Sequence, residues 1–124
     1  MAGIDLRSTL PFIAGLMGVA GVASAAAAAH GADPRLLGGA SAMCMAHAPA
    51  LIALSAAWDH IRLAAASALL LAIGTALFAG DLVLRHFAGH GLFPMSAPTG
   101  GTLMMLGWLV LATGAMLPRK ATRT

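Results

Sequence analysis

The sequence predicts an all-α integral membrane protein, a four-helix transmembrane bundle running up-down-up-down with both termini cytoplasmic. Three observations carry that expectation. Hydrophobic residues make up 60% of the 124 and charged residues only 9%, with a mean hydropathy of +0.89, whereas a soluble domain carries about 25% charge. The charges fall at Asp5, Arg7, Asp33, Arg35, Asp59, Arg62, Asp81, Arg85, Arg119, Lys120 and Arg123, which leaves uncharged runs at 8–32, 36–58, 63–80 and 86–118. Those runs are rich in Ala and Leu, lack period-two alternation, and are about twice the length of a barrel strand.

A hydrocarbon core of ~30 Å needs ~20 apolar residues in a helix. The first run supplies a helix over 9–29. Arg7, the apolar stretch and Ala23-Ser24-Ala25 also resemble a cleavable signal peptide, but the run continues to Ala29 and is long enough to span. The second supplies 37–57, with a kink expected at Pro49, which cannot donate to the Met45 carbonyl. The third reaches sufficient length, 63–86, only by including Asp81. The fourth run is too long for one helix. Gly89, Gly91, Pro94, Pro98, Gly100 and Gly101 break it, so the last helix is expected over 99–117. The whole of 1–124 is then one membrane domain, and the short links favour neighbouring antiparallel helices.

Orientation follows from Lys and Arg. The end holding both termini and the link between the second and third helices carries Arg7, Arg62, Arg119, Lys120 and Arg123, against Arg35 and Arg85 at the other. That end is therefore expected in the cytoplasm, with Trp58 as an interfacial anchor there. Trp108 falls mid-helix and has no such role.

Helices in lipid attract one another chiefly by close packing, which small residues permit. Gly15 and Gly18 in the first helix, Gly74 and Gly80 in the third, and Gly100, Gly101, Gly107 and Gly114 in the fourth are the expected packing positions. Gly100, Gly107 and Gly114, at spacing seven, lie along one stripe.

Several chemistries are excluded. The pI near 10.6 reflects a net charge of only +3 spread along the chain, which is no nucleic-acid footprint. One cysteine forbids an internal disulfide or a Cys-based zinc site. Met43 and Met45 flank Cys44 but point about 200° apart on a helix, so they do not converge on copper. Haem with two His ligands needs both at one depth, and only His47 lies deep. No nucleophile elbow or phosphate loop appears. The expectation is a protein with no cofactor and no enzymatic activity.

The informative polar residues are His30, His47, Asp81, Arg85 and His86, all in the half of the membrane away from the termini. Ionisable groups in lipid are functional candidates by default. Two readings stand. In one, Asp81 and Arg85, spaced i,i+4 with the acid first, form an ion pair that staples the following loop, while His47 makes one interhelical hydrogen bond. In the other, these residues line an outward-opening pocket that handles a proton or small ligand.

Ala29-His30-Gly31, His47-Ala48, the run from Gly74 to Asp81, and Ala97-Pro98-Thr99-Gly100-Gly101 leading to Gly107-Trp108 together resemble one family. It is the family of small bacterial membrane proteins called domain of unknown function 423, which has a eukaryotic relative, the small transmembrane protein 256. The resemblance covers about residues 10–117. It implies a four-helix protein of the bacterial inner membrane without assigned activity, and it brings no catalytic residues. This chain departs from the common pattern at Met43, where many members have Tyr, at Asp81, where many have Ser, and at Pro49.

The function expected is an accessory or assembly subunit of a membrane complex, for instance a respiratory one, or a self-associating protein. Small size, minimal loops and glycine-lined faces point that way. The alternatives are a small transporter, channel or proton-handling protein using the polar set, and a lipid- or quinone-binding protein using an interhelical cleft.

Overall fold

The computed structural model describes residues 3–118 of the chain. Four helices, α1 (Leu6–His30), α2 (Arg35–Ala56), α3 (Ala64–Ala88) and α4 (Ser96–Met116), account for about four fifths of it, and no strand occurs among the described residues. All four are long and apolar enough to cross a membrane.

The ends differ from the sequence expectation for physical reasons. α1 begins at Leu6 rather than residue 9, because Arg7 is held inside the helix. Its Nη1 donates to Asp59 Oδ2 at 2.8 Å and its Nε to the Ser55 carbonyl at 3.2 Å. Pro11 removes the N–H that would bond the Arg7 carbonyl, and the Ser55 hydroxyl donates to that carbonyl instead, at 2.9 Å. α4 begins at Ser96 rather than residue 99. Pro98 lies in its first turn, where a missing N–H leaves no helical bond unmade, so it opens the helix rather than breaking it. α2 continues from Arg35 through Pro49 to Ala56. α3 runs two residues beyond the expected end, to Ala88. Gly89 stops it in the left-handed region, φ +77, its N–H bonding the Arg85 carbonyl at 3.1 Å.

Two antiparallel hairpins, α1–α2 and α3–α4, meet through α2 and α3. α1 touches α3 only lightly, and α1 and α4 do not meet among the described residues. The section is therefore a skewed parallelogram, with α1–α2 and α3–α4 as its close sides and α2–α3 as its short diagonal. Leu51, Leu54, Ala68 and Leu71 fill that diagonal toward the end holding the termini, with Leu10 and Ala14 from α1; Ala40, Cys44 and Ala79 fill the opposite half. Phe12 and Val19 on α1, each 70% exposed, face outward, as expected where lipid is the solvent.

The α3–α4 seam is the tightest. A Cβ on Gly74 would lie 2.8 Å from the Gly100 carbonyl oxygen and from Met104 N, and one on Gly100 would lie 2.6 Å from the Gly74 oxygen and Phe78 N. Further along, Gly107 abuts Leu71 and Gly114 abuts the Arg62 carbonyl. Ser67 Oγ donates across the seam to the Gly107 carbonyl at 3.0 Å. Gly80 and Gly101 have only ordinary neighbours, Leu92 and Phe78. Gly15 and Gly18 correct the sequence reading: no neighbour lies within 4 Å of a side chain placed at either. α1 packs on α2 through Gly21 instead, against Met45 and Cys44, where Ser41 Oγ donates to the Gly21 carbonyl at 2.7 Å. Gly21 and Gly18 lie only about 60° apart by helical phase, but only Gly21 abuts α2.

Candidate functional site

The polar residues singled out in the sequence do not form one cluster. They separate into two satisfied devices and two histidines at the surface.

The first device is His47. It lies about 18 Å along α2 from Arg35 and is only 5% exposed. Nδ1 lies 2.8 Å from the Met43 carbonyl, and Nε2 lies 3.1 Å from Trp108 Nε1. An indole N–H can only donate and a carbonyl can only accept. One tautomer satisfies both: the proton sits on Nδ1 and the Nε2 lone pair receives the indole. A second ring proton at Nε2 would set two donors head to head. The rings are tilted by 57° with centroids 5.8 Å apart. Helices α2 and α4 have no close backbone approach, so this pair bridges them. Sequence reading gave Trp108 no role because a mid-helix Trp is not an interfacial anchor; only its place in the family motif marked it.

The second device is Asp81, fully buried about 10 Å in from the Ala88 end of α3. Its Oδ2 accepts from Arg85 Nε at 3.0 Å and its Oδ1 from the Leu92 backbone N–H at 2.9 Å. The loop after α3 thus folds back over the carboxylate. Gly91 lies directly against it, and a Cβ there would collide with Asp81 Oδ1 and Arg85 Nη2. Arg85 is 45% exposed and carries the charge outward. An unpaired charge at the centre of a membrane helix costs about 2.5–3.5 kcal/mol on insertion scales. The i,i+4 partner and the amide offset that cost.

His30 is exposed at the end of α1. His86 sits edge-on to Phe87, ring centroids 4.9 Å apart, and faces Gly31 in the α1–α2 link. One residue along a helix turns by about 100°, so His86 points away from the side that Arg85 shares with Asp81. His47 lies about 8 Å deeper than Asp81 by rise per residue. Depth and helical phase together keep the Asp81–Arg85 pair and the three histidines apart.

Of the four Asp–Arg neighbours in sequence, Asp33–Arg35 and Asp81–Arg85 pair locally. Asp59 instead takes Arg7 from the other end of the hairpin, and Arg62 donates to the Pro118 carbonyl at 3.3 Å. The Arg35 guanidinium hydrogen-bonds the Asp33 carboxyl and holds it below its usual range. Arg119, Lys120 and Arg123, used in the orientation argument, lie outside the described residues. Among the described residues, no three His, Cys, Asp or Glu side chains converge as metal ligands would.

A groove of 600 Å³ separates α1 from α3, with Cys44 of α2 and, toward the Ala88 end of α3, Phe87 and Leu92 among its lining. Sequence patterning gave no sign of it, because it arises from the light contact between α1 and α3.

No solved structure matches the chain. A family match extends over residues 24–101, which takes in His30, His47, Asp81, Pro98, Gly100 and Gly101 but stops short of Gly107 and Trp108. Satisfied intramembrane polar groups on a four-helix frame are thus features of a chain that belongs to the family described as protein of unknown function (DUF423).

Proposed function

We propose that the chain is a non-enzymatic accessory or assembly subunit of a larger complex in the bacterial inner membrane, with both termini cytoplasmic. One observation carries this reading: both deep ionisable residues are consumed by internal bonds. His47 uses both ring nitrogens and Asp81 both oxygens within the chain. A transporter or proton carrier needs such groups open to water and within reach of one another. Here they are dry and separate, which favours a structural role. Gly15 and Gly18 add support. Each lowers helix stability by about 1 kcal/mol relative to Ala without serving any contact inside the chain, as a face kept smooth for another helix would.

Gentle detergent purification of the tagged protein from its native membrane tests the proposal. Partner proteins of fixed stoichiometry are the expected result, and Gly15→Leu should release them while the chain still accumulates. A lone monomer from the native membrane, with wild-type behaviour of Gly15→Leu, rejects it.

A further inference from the structure

We propose that the groove between α1 and α3 binds a neutral, carbonyl-headed lipid with a single hydrocarbon tail, the chemical class of the prenylquinones, with the Ser24 hydroxyl donating to the head. The site stands apart from the accessory-subunit reading and from the His47–Trp108 pair.

Ser24 is the first ground. It lines the groove and is only 8% exposed. The hydroxyls of Ser8, Thr9, Ser41, Ser55, Ser67, Thr75, Thr99, Thr102 and Thr113 all donate to a backbone carbonyl. Those of Ser24 and Ser96 have no such bond among the described residues, and of the two only Ser24 lines the groove. A helical serine in lipid ordinarily bonds back to its own helix or to a neighbour. A free hydroxyl in an otherwise apolar groove is a donor awaiting an acceptor.

Depth is the second. Ser24 lies six residues, about 9 Å, from the His30 end of α1. The helix is 25 residues long, about 37 Å, so it overhangs a ~30 Å hydrocarbon core by ~4 Å at each end. Ser24 therefore sits about 5 Å inside the hydrocarbon. That is the level of a head group that itself partitions into the membrane, and it is too deep for a hydrated phosphate.

Size and charge select among occupants. The groove follows α3 from Thr75 to Phe87, about 18 Å at the helical rise. Its 600 Å³ then gives a mean cross-section of roughly 33 Å². A helix, at least ~10 Å across and roughly 80 Å² in section, can lie over such a groove but cannot enter it, whereas one hydrocarbon chain can. The arginines at this end are engaged, Arg35 by Asp33 and Arg85 by Asp81, and Arg85 lies about 100° round the helix from the groove-lining Leu84. Among the described residues, no guanidinium lines the groove to meet an anionic head. Asp81 has a positioning role: its bond to the Leu92 N–H holds Leu92 in the groove wall, 3.5 Å from where a Gly80 side chain would begin.

The test is retention by the purified full chain. Protein is loaded separately with decylubiquinone, dioleoylglycerol or dioleoylphosphatidylglycerol, washed in detergent, and weighed by native mass spectrometry. One decylubiquinone per chain is expected, with the two-tailed lipids retained at least ten-fold less. Ser24→Ala should weaken retention about five-fold, the effect of one lost hydrogen bond. Ala20→Phe, which fills the groove from α1, should abolish it with the helical circular dichroism unchanged. Ala76→Phe does the same from α3 and serves if the first variant fails to fold. Failure to retain decylubiquinone, equal retention of either two-tailed lipid, or retention indifferent to Ser24→Ala and to both Phe variants overturns the proposal.

Discussion

A hydrogen bond between an indole and an imidazole is an unusual way to join two membrane helices, and its worth can be measured. Trp108→Phe keeps the ring against His47 but leaves Nε2 without its donor. Interhelical side-chain bonds in lipid contribute about 0.6 kcal/mol on average and up to ~1.7. The variant should lose stability in that range in an unfolding titration in detergent. His47→Phe leaves the indole unpaired instead. The double variant should recover part of the sum, because neither partner is then stranded; strictly additive losses would mean that the two do not interact. Ser96 offers the opposite case. Its hydroxyl is fully buried and is the buried side-chain atom without a partner among the described residues. A buried hydroxyl left unbonded costs about 1–3 kcal/mol, so Ser96→Ala should raise the melting temperature or leave it unchanged. A clear fall would show that the hydroxyl has a partner in the native membrane. At this scale the sequence revealed the ion pair of Asp81 and Arg85 through i,i+4 spacing. It did not reveal the Leu92 amide on the same carboxylate or the indole on His47. Both depend on how a loop or another helix comes to rest, and no local spacing encodes that.

Among the elements, glycines separate into those that a neighbour requires and those that no part of the chain requires. Gly74 and Gly100 bring the backbones of α3 and α4 together, and the atoms nearest a Gly74 side chain are backbone O and N. Backbone cannot yield as a flexible side chain can. Gly74→Ala should therefore destabilise by about 1–3 kcal/mol, the usual penalty of overpacking, and lower the accumulated protein. Gly15→Ala should not, since nothing stands in its way and alanine favours the helix. If both substitutions prove harmless in the melting of purified protein, the seam is looser than the geometry indicates. The four spans were legible from charge spacing alone because a membrane forbids stray charges. The α4 start was misplaced because Pro98 was read as a breaker. Proline at the third residue of a helix is well tolerated, and the sequence does not say where the first turn begins. The packing stripe of α4 was legible from its seven-residue spacing. Spacing alone does not tell Gly21, which meets α2, from Gly15 and Gly18, which meet nothing within the chain, because small residues look alike in sequence whatever they face.

For the whole molecule, the structure fixes which parts share an end and leaves the side of the membrane to charge. Arg7 bonds Ser55 and Asp59, and Arg62 bonds Pro118. The chain start, the α2–α3 link and the residues just past α4 thus lie together, at whichever face. Two reporter fusions, after Ala57 and after Ala121, must consequently report the same compartment. We expect the cytoplasm, since Arg7 and Arg62 lie at this end, Arg119, Lys120 and Arg123 follow α4 directly in sequence, and positive loops are retained inside. The outcomes separate the two arguments. Opposite readings at the two sites would reject the four-span fold itself. Two periplasmic readings would leave the fold intact and reject only the charge argument. A graded version adds force: replacing Arg119, Lys120 and Arg123 with Gln while adding three Lys to the α3–α4 loop reverses the bias, because it is the Lys and Arg count near the span ends, and not net charge, that orients a short-looped protein. That variant should send a measurable fraction of both reporters to the periplasm. Asp33 and Asp81, which contribute little to orientation by the same rule, can be neutralised without moving either.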